Sequence, residues 1–231
     1  MKRTSLAALM GVALSSAYAS AATLTSGHVD FIGIGYVGGE LEPHSHVEGG
    51  VVDGIEELDA EYAPGELIVQ VSTTAIRPAG AAFDLIGVAS GASYFLAPQS
   101  EIVGQPYVGI GLEELNPLDW TTPITVTLTG ATIPVGAVFS VWQDGGPAFF
   151  MSTLGGISAS DAVSITAGDH AHFNWGFTEQ GQYDLTFEIT GIHAVDGAKS
   201  ATATYSFSVI PEPSSALLGA FGALALLRRR R

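Results

Sequence analysis

Residues 201–209 read ATATYSFSV, in which small or apolar residues alternate with hydroxyl-bearing ones. Residues 183–190, YDLTFEIT, and residues 124–129, ITVTLT, alternate in the same way. Because successive side chains of a strand point to opposite sides, this period of two predicts strands with one buried and one exposed face. Residues 66–71 and 138–142 are rich in β-branched and aromatic residues and predict two further strands.

Glycine-rich turns such as Gly38-Gly39 separate these segments, and most of the 29 glycines lie in turns of this kind. Short alternating strands joined by such turns predict an all-β domain over residues 22–209, an antiparallel β-sandwich or jelly roll. The alternative is two sandwiches divided near residue 120. Residues 54–61 are predicted to form a loop or short helix, and one helical turn is predicted around Asp161.

The predicted domain is strongly acidic. Six of the eight lysines and arginines and one of the 23 acids lie outside residues 22–210, which leaves that segment with two cations and 22 acids. Such a surface repels phosphate backbones, so nucleic acid is excluded as a partner. The chain contains no cysteine, which excludes disulfides, thiol nucleophiles and thiolate metal sites.

The first 21 residues have the three parts of a secretory signal, predicted as a helix that is removed after export. Lys2 and Arg3 precede an apolar stretch over residues 6–14, and small residues follow. Cleavage by signal peptidase is expected between Ala21 and Ala22, with a mature start at Ser20 as the other choice.

Residues 210–231 carry a second processing signal. A Pro-Glu-Pro motif is followed by 14 uncharged residues, 214–227, and by four arginines. This order resembles the PEP-CTERM sorting signal, which implies a Gram-negative bacterium, a short hydrophobic transmembrane helix held transiently in the inner membrane, and recognition by an exosortase. The alternative is an ordinary C-terminal anchor. The sorting residues are Pro211, Glu212, Pro213, Arg228, Arg229, Arg230 and Arg231.

The histidines are grouped. Two His-x-His pairs occupy positions 44–46 and 170–172, and a His-x-Asp pair occupies positions 28–30. Residues two apart on a strand share a side, so each pair can converge on one Zn²⁺ or Mn²⁺ ion. The competing interpretation is a solvated polar surface. The candidate metal ligands are His28, Asp30, His44, His46, His170 and His172.

Residues 170–177, HAHFNWGF, are predicted to form one strand with two different sides. The first side, with Ala171, Phe173, Trp175 and Phe177, faces the core, and the second carries His170, His172 and Asn174. His193 is predicted to be a turn residue.

The motifs of common enzymes are missing from the sequence. It contains no Gly-x-Ser-x-Gly elbow, Walker loop or His-Glu-x-x-His motif. Gly38 and His44 match the start of a cupin metal motif, but Glu48 falls too close to His46 and Phe139 stands where the second motif needs a histidine. The sequence therefore predicts a protein without catalytic residues.

Residues 24–209 resemble the bacterial surface domain called choice-of-anchor M. The strongest match is residues 170–187, which fit His-x-His-x-Asn-Trp-x-Phe followed by Gly-x-Tyr, and residues 27–30 fit the opening Gly-His-Val-Asp. Some relatives in that family accompany metal-type transporter genes, which favours a metal ligand. The polar positions that the resemblance carries over are His28, Asp30, His170, His172, Asn174 and Trp175.

We therefore expect an exported protein of the cell surface, outer membrane or extracellular matrix, with a non-catalytic binding role and the exopolysaccharide matrix as a further expected partner. The alternative is a Zn²⁺- or Mn²⁺-binding surface protein, or a metal-dependent enzyme, that uses the histidine pairs.

Overall fold

The protein is described by a computed structural model over residues 20–144 and 148–211. These residues form sixteen strands and two 3₁₀ helices, Ala81–Ile86 and Pro117–Asp119. The strands are β1 (Ala22–Val37), β2 (Glu40–Val52), β3 (Ile55–Glu57), β4 (Ala60–Tyr62), β5 (Leu67–Val71), β6 (Thr74–Ile76), β7 (Ser93–Ala97), β8 (Pro106–Gly111), β9 (Ile124–Thr132), β10 (Phe139–Gln143), β11 (Ala148–Ser152), β12 (Ala162–Ile165), β13 (His170–His172), β14 (Asn174–Phe177), β15 (Gly181–His193) and β16 (Gly197–Val209).

The strands form two sheets. The larger one has eleven strands in the order β12-β9-β15-β16-β5-β1-β2-β3, with β8 paired to β1, β13 to β8 and β4 to β2. The smaller one has five strands in the order β11-β10-β14-β7-β6. The predicted all-β class is confirmed, and the larger sheet contains strands from both sides of residue 120.

The expectation of purely antiparallel pairing is wrong for the larger sheet. Strand β5 runs parallel to both β1 and β16, and β8 also runs parallel to β1. Parallel neighbours need a long connection rather than a hairpin. Turn composition alone indicated hairpins and gave no sign of these long connections.

The alternating segments form strands as predicted. Along β15 the side chains of Tyr183, Leu185, Phe187 and Ile189 are fully buried, while the residues between them are more exposed. Aromatic rings of β1 and β16 meet in the same core, where Phe31 and Phe207 lie 4.7 Å apart between ring centroids. Burial of these large apolar side chains is the main driving force for the fold.

The segment HAHFNWGF is not one strand. Strand β13 belongs to the larger sheet and β14 to the smaller one, so the chain passes from one sheet to the other at Phe173. Phe173, Trp175 and Phe177 are buried as predicted. The prediction of an exposed opposite side is wrong for His172 and Asn174, which are also buried. His172 stacks on Tyr107, and Asn174 Oδ1 accepts a hydrogen bond from the backbone N–H of Gln99.

Residues 54–61 do not form a loop or helix, since they contribute β3 and most of β4, both paired with β2. The segment before Asp161 is a turn and not a helix. Residues 1–19 of the secretion signal and the sorting signal beyond Pro211 lie outside the described residues, which include Ser20, Ala21 and Ala22. Within the described ranges, no helix is long and apolar enough to cross a bilayer.

Candidate metal centre

Four neighbouring strands bring all six candidate ligands together. In the β1–β2 ladder Asp30 lies opposite His46, and in the β1–β8 ladder it lies opposite Gly109. Gly109 in turn lies opposite His172 on β13, and Gly111 lies opposite His170. We call this group the histidine surface: His28, Asp30, His44, His46, His170 and His172.

Three members of the histidine surface form a compact group. The Nε2 atoms of His28 and His172 are 3.2 Å apart, and His28 Nε2 is 3.9 Å from Asp30 Oδ1. One ligand atom from each of the three residues lies within 4.8 Å of the other two. Tetrahedral bonds of about 2.0–2.2 Å place ligand atoms roughly 3.4 Å apart, so small rotations fit these atoms to one ion.

Glycines make room for this group. A Cβ atom on Gly109 would lie 2.5 Å from Asp30 Oδ1 and 2.9 Å from His172 Cε1. A Cβ on Gly111 would lie 2.6 Å from Asp30 Cγ. Any larger residue would clash at these positions. Because Gly109 and Gly111, which we call the glycine floor, have no side chain, side chains from β1 and β13 can approach each other across β8.

A bulge in β1 aligns the surface. The register moves three residues from Asp30 to Gly33, against two residues on both β2 and β8. Phe31 and Ile32, the residues of this bulge, are both fully buried. The extra residue returns Gly33 to the side that carries Asp30, which leaves space there for His44.

Carboxylates lie close to the Nδ1 atoms of His28 and His170. His28 Nδ1 is 3.5 Å from Glu48 Oε2, and His170 Nδ1 is 2.5 Å from Glu113 Oε1. A carboxylate at Nδ1 fixes the tautomer that leaves Nε2 free to bind a metal. The ring of His172 is held by Tyr107, on which it stacks with centroids 3.6 Å apart and planes 7° apart.

The electrostatics of the group favour neutral side chains. Burial, followed by the charge of Glu113, raises the pKa of Asp30 to about 7. Burial, followed by the proximity of His28, lowers the pKa of His172 to about 4, and burial also lowers the pKa of His28. Asp30 Oδ1 and His172 Nδ1 are buried without a hydrogen-bond partner among the described residues. A bound cation would supply the missing partner for the carboxylate.

His44 and His46 lie beside this group and not in it. His44 Nε2 is 3.0 Å from Glu114 Oε1, and His46 Nε2 is 2.9 Å from Asp59 Oδ1. Burial lowers the pKa of His46, but the hydrogen bond to Asp59 and the charge of Glu48 outweigh it, so the net shift is upward. Both histidines line a cleft of about 190 Å³.

The sequence did not identify five residues that shape the site: Glu48, Tyr107, Gly109, Gly111 and Glu113. The alternating glycines of residues 109–111 were the available signal, since glycine within a strand marks a close approach of neighbouring groups. His193 lies at the end of β15, with its ring 4.6 Å from that of Tyr36 between centroids, and does not contribute to the histidine surface.

Fold and site together define an all-β protein with a candidate His-Asp-His metal group. No model of a protein family matches the chain, and no curated protein and no solved structure matches it.

Proposed function

We propose that this protein is an exported, non-catalytic surface domain that binds Zn²⁺ or Mn²⁺ through His28, Asp30 and His172. The observation that carries the proposal is Asp30, which is 4% exposed and has an oxygen that faces two imidazoles over the glycine floor and has no hydrogen-bond partner within residues 20–144 and 148–211. A buried polar atom without a partner costs roughly 1–3 kcal/mol, which a bound cation would offset.

His170 supports capture of a metal ion over catalysis. Its ring centroid is 5.4 Å from that of His172 and 6.2 Å from that of His28, and the His28–His172 distance is 5.0 Å. Three imidazoles on one tetrahedral ion have centroids about 5 Å apart, given bonds of about 2.0 Å. His170 would be the fourth ligand if its ring moved toward the other two imidazoles, and closed four-ligand sites are typical of binding rather than of hydrolysis.

The proposal also includes the export of this protein to the cell surface. The signal over residues 1–21, the resemblance of residues 210–231 to a PEP-CTERM signal and the resemblance to choice-of-anchor M support export and transfer to the cell surface, outer membrane or matrix. Signal peptidase and an exosortase are the proposed processing partners. Mass spectrometry of the surface protein should find a start at Ala22 or Ser20 and no residues beyond about Pro213. An intact Arg231 would contradict this route.

The finer fold assignment is part of the same proposal. One apolar cluster contains buried residues of both sheets, among them Val69 and Phe207 of the larger and Val141 and Trp175 of the smaller. This shared core supports a sandwich or jelly-roll arrangement in which the two sheets face each other.

Metal binding is tested on protein purified without a His tag and stripped with a chelator. Addition of Zn²⁺ or Mn²⁺ should raise the melting temperature, because an ion that binds only the folded state stabilises it. The variant His172→Gln should lose this response. The control His193→Gln removes a histidine outside the histidine surface and should keep it. A wild-type protein whose melting temperature and metal content do not change would overturn the proposed function.

A further inference from the structure

The cleft beside the candidate metal centre has the features of a second site. It has a volume of about 190 Å³ and lies against β1, β2 and the segment that begins at the end of β8. Its walls carry four carboxylates and two histidines, and neither of the domain's two cations lies there, since Arg77 pairs with Asp84 and Lys199 lies 3.5 Å from Glu40. The ionisable residues of the wall are Asp30, His44, His46, Glu48, Glu113 and Glu114.

Asp30 belongs both to the His28–Asp30–His172 group and to the wall of the cleft. Its Oδ1 lies toward Gly109, His28 and His172, whereas its Oδ2 would lie 2.7 Å from a Cβ atom on Gly111, which lines the cleft. Its side chain is 5% exposed, and Oδ1 has no hydrogen-bond partner in the part of the chain that the structure describes. A carboxylate has two oxygens and about four lone-pair sites, so it can bind one cation on each side.

The β2 side of Asp30 supplies further donors. His46 lies directly opposite Asp30 in the β1–β2 ladder, and His46 Nδ1 is 4.0 Å from Glu48 Oε1. Farther along the cleft, His44 Nε2 and Glu114 Oε1 are 3.0 Å apart. This distance is close to the separation between two neighbouring ligand atoms on one ion. Imidazole together with carboxylate suits Zn²⁺ and Mn²⁺.

We propose that the cleft binds a second divalent cation and that Asp30 bridges it to the first, with His44 and His46 as its imidazole ligands. The proposal rests on the proposed function, since the bridge requires an ion at the His28–Asp30–His172 group. Ions that share a carboxylate in such pairs lie about 3.5–4 Å apart. The histidine surface is then one centre for two metal ions.

The stoichiometry of metal binding tests this proposal. Metal-free, untagged protein is titrated with Zn²⁺ by calorimetry, and bound metal is counted by elemental analysis after desalting. Wild-type protein should bind two equivalents. The double variant His44→Gln/His46→Gln should bind one equivalent, with the remaining affinity within about threefold of one wild-type site. Asp30→Asn should lose both, because each site loses its shared ligand.

Electron paramagnetic resonance gives an independent readout with Mn²⁺. Two bridged Mn²⁺ ions should give a broad, coupled signal, and the double variant should give the separate six-line signal of an isolated ion. Melting temperatures of the metal-free variants show whether each one folds, and His193→Gln controls for nonspecific binding by histidine. If the double variant does not fold, Glu114→Gln takes its place, because Glu114 Oε1 lies 3.0 Å from His44 Nε2 in the cleft. This variant should lose the equivalent bound in the cleft and keep the other.

The outcomes separate the two proposals. A wild-type protein that saturates at one equivalent, lost in His172→Gln and retained in the double variant, overturns the second site and leaves the first. Two equivalents retained by the double variant, or two uncoupled Mn²⁺ ions, also overturn the bridged pair. A wild-type protein that binds no metal overturns both.

Discussion

The larger sheet has two polar surfaces that satisfy their polar atoms in different ways. On β9, β12, β15 and β16, hydroxyl groups pair across strands, with Thr125 and Ser164 at 2.9 Å and Thr186 and Thr204 at 2.9 Å. We call these four residues the hydroxyl surface. On the histidine surface, Asp30 Oδ1 is buried and has no partner among the described residues.

Under the proposed function, this difference distinguishes side chains that stabilise the fold from side chains that bind a metal ion. Threonine is common on exposed strand positions because its branched side chain fits the pleated sheet, so the hydroxyl surface needs no further explanation. Nothing in strand formation favours a buried carboxylate over two glycines. We expect the histidine surface to reduce the stability of the metal-free protein, and under the proposed function a bound cation would restore it.

The largest effect is expected for Asp30→Asn. The amide keeps the shape of the side chain but cannot replace an anionic ligand, so affinity for Zn²⁺ should fall by about 100-fold or more. Competition with a chromophoric chelator measures this change. Unchanged affinity would show that the unpartnered carboxylate is not a ligand and would remove the contrast between the two surfaces.

The same variant should change how the metal-free protein responds to pH. The pKa of Asp30 is about 7 in the folded state against an ordinary value of 3.8. Below about pH 4 the carboxyl is protonated in both states and carries no penalty. As pH rises from 4 to 7 the unfolded chain ionises first, so wild-type stability falls, and above 7 the loss is complete.

Urea unfolding in the presence of a chelator measures this dependence. Asp30→Asn lacks the ionisation, so its free energy of unfolding should exceed that of the wild type by a margin that grows on the order of 4 kcal/mol between pH 4 and 8. A difference that stays constant with pH would contradict the assignment of the penalty to this carboxyl.

A matched pair of glycine substitutions compares the two surfaces directly. A Cβ on Gly109 meets Asp30 Oδ1 at 2.5 Å, so Gly109→Ala should lower the free energy of unfolding by about 1–3 kcal/mol and weaken Zn²⁺ binding by about tenfold or more. A Cβ on Gly130, beside the hydroxyl surface, meets Thr186 Cβ at 3.4 Å. Gly130→Ala should change stability little and metal affinity not at all. Calorimetry measures Zn²⁺ affinity and denaturation measures the free energy of unfolding. If the two substitutions changed these quantities equally, steric crowding, rather than contact with the candidate metal group, would explain both changes.

The smallest effect is expected for Thr186→Val. The substitution removes one hydroxyl of an exposed pair and keeps the branched shape, so the free energy of unfolding should change by less than about 0.5 kcal/mol. Denaturation in urea and a Zn²⁺ titration measure the two quantities. A larger loss, or weaker metal binding, would give the hydroxyl surface a role that cross-strand pairing does not explain.

The sequence predicted the strands that alternate and missed the features that depend on long-range pairing. The alternating patterns around Leu185 and Tyr205 can be recognised within a short stretch of sequence, because one side of each strand is buried in the same core. The parallel position of β8 beside β1 is not local. The position of β8 depends on which strand docks beside Asp30 of β1. No pattern in residues 106–111 specifies β1 as the neighbour of β8.

The candidate ligands were predicted as types and pairs, but their grouping was not. The His-x-His spacing placed His170 and His172 together, whereas the crossing at Phe173 determined that His172 is buried. Likewise, the approach of His28 to His172 depends on the floor at Gly109, which separates two strands that never pair with each other. Period-two reasoning treats each strand alone and does not contain this information.

The three residues of the metal group come from distant parts of the chain, since His28 and His172 are 144 positions apart. Synthesis delivers β1 first, and β13, which pairs with β8, follows only after most strands of the larger sheet have been made. A nascent polypeptide that ends before His172 therefore lacks the ligand set. Under the proposed function, ion binding becomes a late event that depends on a strand made after most of the larger sheet.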